Sequence, residues 1–309
     1  MYAPEGSFMR ETEQVNQVFL LTVICYLGVS IVIGLISAEN GISFVPLMLL
    51  SQAGLAIVPV CYAIKRGHIF KQVGLKGLSF GTVILVLFFM ICLEPFLTFI
   101  NALSQCFVDT PTTSLIIEEA AKKDFVTMFL LVAVVPAILE EFVYRGVFFR
   151  TYAKQAVIPG AFFSGLLFGV MHGNWNQFVY AFFMGVFFSL TVYATGSLLA
   201  SMLMHLTVNG LSIILVYAFP ELAAAAGEAE NVTFTVEDVL RSYLAAAVFG
   251  LVLAYFLFKA IAQRCGTWEK LSQEFRRKGK LKAFCKMFTI PLAIGVGIMF
   301  VLMTVSEFV

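Results

Sequence analysis

Charge is what this chain has least of. Asp, Glu, Lys and Arg make up 13% of its 309 residues, roughly half the share found in an ordinary soluble domain. That shortage excludes a water-solvated globule, and a balance of 20 basic against 19 acidic residues leaves no electrostatic footprint for nucleic acid. Histidine is rarer still, with three in the whole chain. The six cysteines, Cys25, Cys61, Cys92, Cys106, Cys265 and Cys285, show no CxxC spacing, so neither a disulfide framework nor a thiolate zinc site can be argued; they read as small core residues. Long polar stretches are missing as well, and no connection has the length of a soluble domain. What the chain does have is 33 phenylalanines and a mean hydropathy of +0.93, the mark of helices that are apolar all round because lipid is their solvent.

A bilayer-crossing helix needs about 20 mostly apolar residues. Such runs fall near 18–37, 42–64, 80–103, 125–149, 157–174, 177–195, 197–219, 239–262 and 287–308. The expected fold is an all-α polytopic membrane protein, a bundle of about eight or nine transmembrane helices with a buried polar cavity, forming one domain over 1–309. The first run follows a polar stretch containing Arg10, Glu11 and Glu13 and has no clear cleavage site, so it is expected to be a retained anchor. Basic residues gather in two connections: Lys65, Arg66, Lys71 and Lys76, and then Arg264, Lys270, Arg276, Arg277, Lys278, Lys280, Lys282 and Lys286. The positive-inside rule places both on the cytoplasmic side of a cell membrane, with the N-terminus cytoplasmic and the C-terminus outside. The stretch 264–286 is read first as a topology signal; the alternative is an amphipathic segment resting on anionic headgroups.

A charge at the centre of a membrane helix costs at least about 2.5–3.5 kcal/mol, so each one needs a partner or a task. The fourth span, VVPAILEEFVYRGVFF, carries three: Glu140, Glu141 and Arg145. Neighbouring residues on a helix point about 100° apart, whereas residues four apart share a face. Glu141 therefore pairs with Arg145, while Glu140 projects elsewhere with no local counter-charge and is the candidate general base. His172 ends the run SGLLFGVMH, with Phe168 one turn below on the same face, and His205 opens HLTVN, with Asn209 one turn on. His68 lies in a basic loop and reads as incidental. A lone membrane histidine more often packs than reacts; two histidines, an asparagine and an unpaired glutamate in nearby spans favour a site. At 1.5 Å per residue Glu140 and His205 lie about 13 and about 12 Å from the cytoplasmic ends of their spans, and His172 comes out deeper.

The ordered set EEFVYRG, FGVMH and HLTVN resembles the three signature motifs of the CPBP intramembrane protease family, also called Abi, which includes the type II CAAX prenyl endopeptidase. The approach TGSLLASMLMH to the third motif is similar to the family pattern too, and the resemblance covers a catalytic core of roughly 125–219. It implies an endopeptidase that hydrolyses peptide bonds of membrane-embedded or membrane-tethered peptides, in a cavity open to the cytoplasmic side. Carried onto this sequence, it makes Glu140 the base that activates water and His172 the residue that holds and polarises that water. His205 and Asn209 become donors to the oxyanion, Glu141 and Arg145 supports of the fourth helix, and Phe168 a packing residue. Amide hydrolysis needs both parts, proton removal and oxyanion stabilisation, the latter worth about 2.7–4 kcal/mol per donor. The resemblance implies no cofactor, and its partners are a membrane-associated peptide substrate and the bilayer. It spans CAAX processing, bacteriocin-like peptide immunity and pheromone maturation without choosing among them.

Three alternatives stay open. Glu140, His172 and His205 also make a zinc set with an open fourth position, distinguished by loss of activity in chelator and its return with zinc. A transporter would use buried Glu and His as a proton relay, and Glu94-Pro95 in the third span would serve it, although the halves show no inverted repeat. A noncatalytic membrane adaptor would bind a peptide in the same cavity and survive Glu140→Gln.

Overall fold

The computed structural model describes residues 5–67, 73–108, 113–229 and 235–308; His68 and Lys71 lie outside them. Among the described residues every regular element is helical. In chain order these are α1 (Glu5–Asn40), α2 (Phe44–Lys65), α3 (Phe80–Gln105), α4 (Thr113–Ala120), α5 (Phe125–Ala153), α6 (Val157–Val170), α7 (Trp175–Thr195), α8 (Leu198–Ala218), α9 (Pro220–Ala229), α10 (Val236–Arg264), α11 (Trp268–Arg276), α12 (Lys280–Met287) and α13 (Ile290–Val305).

Among the described residues seven helices are long and apolar enough to cross a membrane: α1, α2, α3, α5, α7, α8 and α10. The chain is a multi-pass membrane protein. Two of the nine expected runs take other forms. The fifth contracts to α6, whose 14 residues reach about 21 Å, short of a hydrocarbon core of about 30 Å. It stops because Gly173 turns the chain at φ +73° and Asn174 caps α7, its side chain accepting the Gln177 N–H at 2.8 Å; an apolar count runs straight through that turn. Eleven of the 14 residues are buried, so α6 is lined by protein rather than lipid. The ninth run is part of a bent pair, α12 and α13, which meet at 76°; counted as one span they bring the total to eight.

The bend has a local cause. Pro291 has no N–H, so the carbonyl four residues earlier, Met287, lacks its helical donor. Asn16 of α1 supplies one at 2.8 Å, and the same nitrogen reaches Thr289 Oγ1 at 2.9 Å, while Asn16 Oδ1 accepts from Tyr152 OH. One buried side chain thus ties α1 and the end of α5 to the break.

Helices approach closely where side chains vanish, as membrane packing favours. A Cβ at Gly185 of α7 would lie 2.7 Å from Gly165 Cα of α6, and one at Gly250 of α10 would lie 2.5 Å from the Cys92 carbonyl of α3. The α6–α7 hairpin, α8 and α2 all pack against α5. The second half of the charged span, Val143–Phe149, is therefore buried, while Val126, Leu130 and Ile138 stay exposed on its outer side.

Candidate active site

α5 carries the acidic motif, and its backbone departs from α-helix on both sides of it: Phe129–Val134 and Phe142–Phe149 are wound as π-helix, a form that recurs at functional positions. Between them Pro136 withholds an N–H from the Val132 carbonyl. Asn209 of α8 donates to that carbonyl at 2.9 Å, which fixes the nitrogen end of its amide toward α5 and leaves its second N–H uncommitted by this bond.

Glu141 and Arg145 are both fully buried and joined at 2.8 Å, the pair the spacing predicts. The same Glu141 oxygen also takes His205 Nδ1 at 2.9 Å, so Glu141 positions an imidazole as well as balancing a guanidinium. Arg145 lies between aromatic faces, 4.3 Å from the Phe168 ring and 5.1 Å from Phe188, a desolvated cation–π setting. Phe168 meets His172 edge-on at 4.8 Å and His205 at 5.9 Å. It is the packing centre of the cluster.

Glu140 points away from Glu141, as neighbours on a helix must. Its Oε2 lies 4.0 Å from His205 Nε2, too far for a hydrogen bond and near enough to share one water or one substrate oxygen. Its Oε1 accepts from Gln52 Nε2 of α2 at 2.7 Å. Sequence reasoning missed Gln52; the available signal was a lone amide inside an apolar run of a span that carries no motif. His172 stands at the end of α6, where its Nδ1 lies 2.8 Å from the Phe168 carbonyl; that bond puts the proton on Nδ1 and leaves Nε2 as acceptor. Glu140, His205 and Arg145 are all within electrostatic reach of the His172 ring. Tyr26 and Tyr144 are within reach of Glu140.

The structure thus gathers Glu140, Glu141, Arg145, Phe168, His172, His205 and Asn209 from α5, the end of α6 and α8. Several buried atoms in the cluster carry unused hydrogen-bonding capacity: Gln52 Oε1, Glu141 Oε2, Tyr144 OH, and Arg145 Nε and Nη2. A buried polar atom left unpaired costs about 1–3 kcal/mol, so the cluster favours a polar guest. Glu94 stays apart from this network on α3, with Tyr180 of α7 as an electrostatic neighbour. As for a metal, among the described residues no three His, Cys, Asp or Glu side chains are grouped to hold an ion.

Residues 122–211 match the family model described as Rce1-like, type II CAAX prenyl endopeptidase. The match agrees with the CPBP resemblance of the three motifs and takes in all seven of the gathered residues; Gln52 falls outside it. No curated protein and no solved structure matches the chain. The match supports a CAAX-type membrane endopeptidase in general.

Proposed function

We propose that the chain is a glutamate-dependent intramembrane endopeptidase of a cell membrane, oriented with its N-terminus in the cytoplasm. It hydrolyses peptide bonds in membrane-embedded or membrane-tethered peptides with water as nucleophile and no metal. The observation that carries this reading is the 4.0 Å gap between Glu140 Oε2 and His205 Nε2, flanked by His172 and bounded by side chains already held in place.

Each residue then has one task. Gln52 occupies Glu140 Oε1, so Oε2 is the oxygen that takes the proton from water; His172 Nε2 accepts from the same water and orients it. The hydroxide forms the new C–O bond as the carbonyl π pair moves onto oxygen. That oxyanion takes a hydrogen bond from Nε2–H of His205 in its imidazolium form, whose Nδ1–H is held by Glu141, and a second from the spare N–H of Asn209. When the C–N bond breaks, the proton on Glu140 passes to the leaving amine, and the base is regenerated. Donors fixed before the reaction, in a site with little water, supply most of the stabilisation.

Glu140→Gln keeps the shape and a contact to Gln52 but cannot take a proton. In proteoliposomes carrying a membrane-tethered peptide, its cleavage rate is expected to fall by about 10²–10⁴-fold with unchanged insertion. Full cleavage by this variant overturns the reading. Loss of wild-type activity in chelator, restored by zinc, replaces it with the metal mechanism.

A further inference from the structure

The last third of the chain carries a second built feature that the reaction does not use. α12 meets α13 at 76°; with α13 as the crossing element, α12 runs nearer the membrane plane than its normal. One side of it faces inward: Phe284 stacks on Phe163 of α6 at 4.6 Å and meets Phe162 edge-on at 5.1 Å, and Met287 is fully buried, as is Leu271 of α11. Such helices rest at the boundary between headgroups and acyl chains.

Between these two helices and the turn joining α5 to α6 is a cavity of about 670 Å³. Its wall carries five cations, Lys154, Arg277, Lys278, Lys282 and Lys286, and one acid, Glu274. Glu11 bonds Lys154 and Arg66 alike, so counting it in brings a further cation with it and the wall stays net positive. The same segment carries, outside the cavity wall, strongly exposed apolar side chains, Leu281 at 76%, Phe288 at 51% and Ile290 at 77%. A soluble anion has no use for those; a phospholipid uses both, its phosphate on the cations and its acyl chains along the apolar rim.

We propose that this cavity binds the headgroup of an anionic phospholipid. A lipid seated there touches the ends of two site-bearing helices at once: Lys154 follows α5, and Val157, the first residue of α6, lines the same wall, its N–H bonded to Glu274 at 3.4 Å. Occupancy therefore holds together the helix of Glu140 and the helix that leads into His172. The assignment stands apart from the proposed reaction and is read without it.

The test uses the delipidated full chain in neutral detergent, titrated with phosphatidylglycerol or phosphatidylcholine, with thermal stability and retained lipid by native mass spectrometry as readouts. Phosphatidylglycerol is expected to raise Tm above its value in phosphatidylcholine. Each basic residue near an anionic surface is worth about fivefold in affinity, so Lys278→Gln, Lys282→Gln and Lys286→Gln together are expected to weaken binding roughly 100-fold and abolish the shift. Lys122→Gln with Lys123→Gln, far along the chain, keeps the full response. Should the triple variant not fold in phosphatidylcholine, Lys282→Gln alone is expected to show the loss of about fivefold. Equal Tm in the two lipids, a full response from the Lys282 variants, or the same shift from soluble glycerol phosphate overturns the assignment.

Discussion

Pro136 in α5 and Pro291 in α13 each strip a donor from the carbonyl four residues earlier, and each loss is met by an asparagine from another helix. Asn209 reaches Val132 at 2.9 Å and Asn16 reaches Met287 at 2.8 Å. The outcomes differ. At Pro136 the helix runs on beside a π-wound stretch; at Pro291 it breaks and turns by 76°. The two asparagines differ in the same sense. Asn16 is fully buried and committed in three directions, to Met287, Thr289 and Tyr152, whereas Asn209 is partly buried with a single bond holding it. A saturated side chain can only hold the fold; one with a donor to spare, one turn along α8 from His205, is also open to the oxyanion role in the proposed mechanism.

Removing each asparagine gives the largest effects and the clearest way to break this comparison. Asn209→Ala is expected to lower kcat about 10²–10³-fold, the usual loss for one oxyanion donor, with a stability loss of only about 1 kcal/mol for one bond. Asn16→Ala is expected to do the reverse. It strands Tyr152 OH and the Met287 carbonyl, costing about 3 kcal/mol of stability, while the folded fraction keeps its kcat. Cleavage kinetics and thermal unfolding on the same preparations separate the two. Equal kcat losses would show that Asn209 is another structural brace.

Glu141→Gln comes next. It weakens the buried bond to Arg145 and the hold on His205 together, and it is expected to lower kcat about tenfold while also reducing Tm, by less than the roughly 3–5 kcal/mol of removing a buried partner outright because the amide keeps an acceptor oxygen. Glu141 lacks the separation that Asn209 and Asn16 show, because one oxygen serves fold and site at once.

The sequence made much of this legible, for physical reasons that also mark its limit. Spacing along one helix predicts contacts within that helix, so the Glu141–Arg145 pair and the approach of His172 to Phe168 follow from i,i+4 geometry. It cannot predict contacts between helices here. In a soluble protein the apolar stripe shows which way a helix faces, but these helices are apolar all round. Gln52 in α2 and the second partner of Glu141 were therefore invisible. The turn that shortens α6 did leave a trace: Gly173-Asn174 is a turn glycine followed by an N-cap, which a hydropathy window averages away. Pro136 also marked a vacant carbonyl at Val132, though not which helix would fill it.

The prolines themselves give the smallest effects and the sharpest version of the comparison. Pro136→Ala restores a backbone N–H that competes with Asn209 for Val132. The asparagine is then released from the bond that aims it but keeps its donor, so kcat is expected to fall only about tenfold, less than the roughly 10²–10³-fold of removing an oxyanion donor outright, while stability holds or rises. Pro291→Ala offers Met287 the same kind of donor, but the bend there is also held by the bond from Asn16 to Thr289 and by Tyr152. Neither rate nor Tm is expected to change measurably. If Pro136→Ala leaves kcat as indifferent as Pro291→Ala does, the tie between Asn209 and Val132 aims nothing, and the spare N–H loses its claim to the oxyanion.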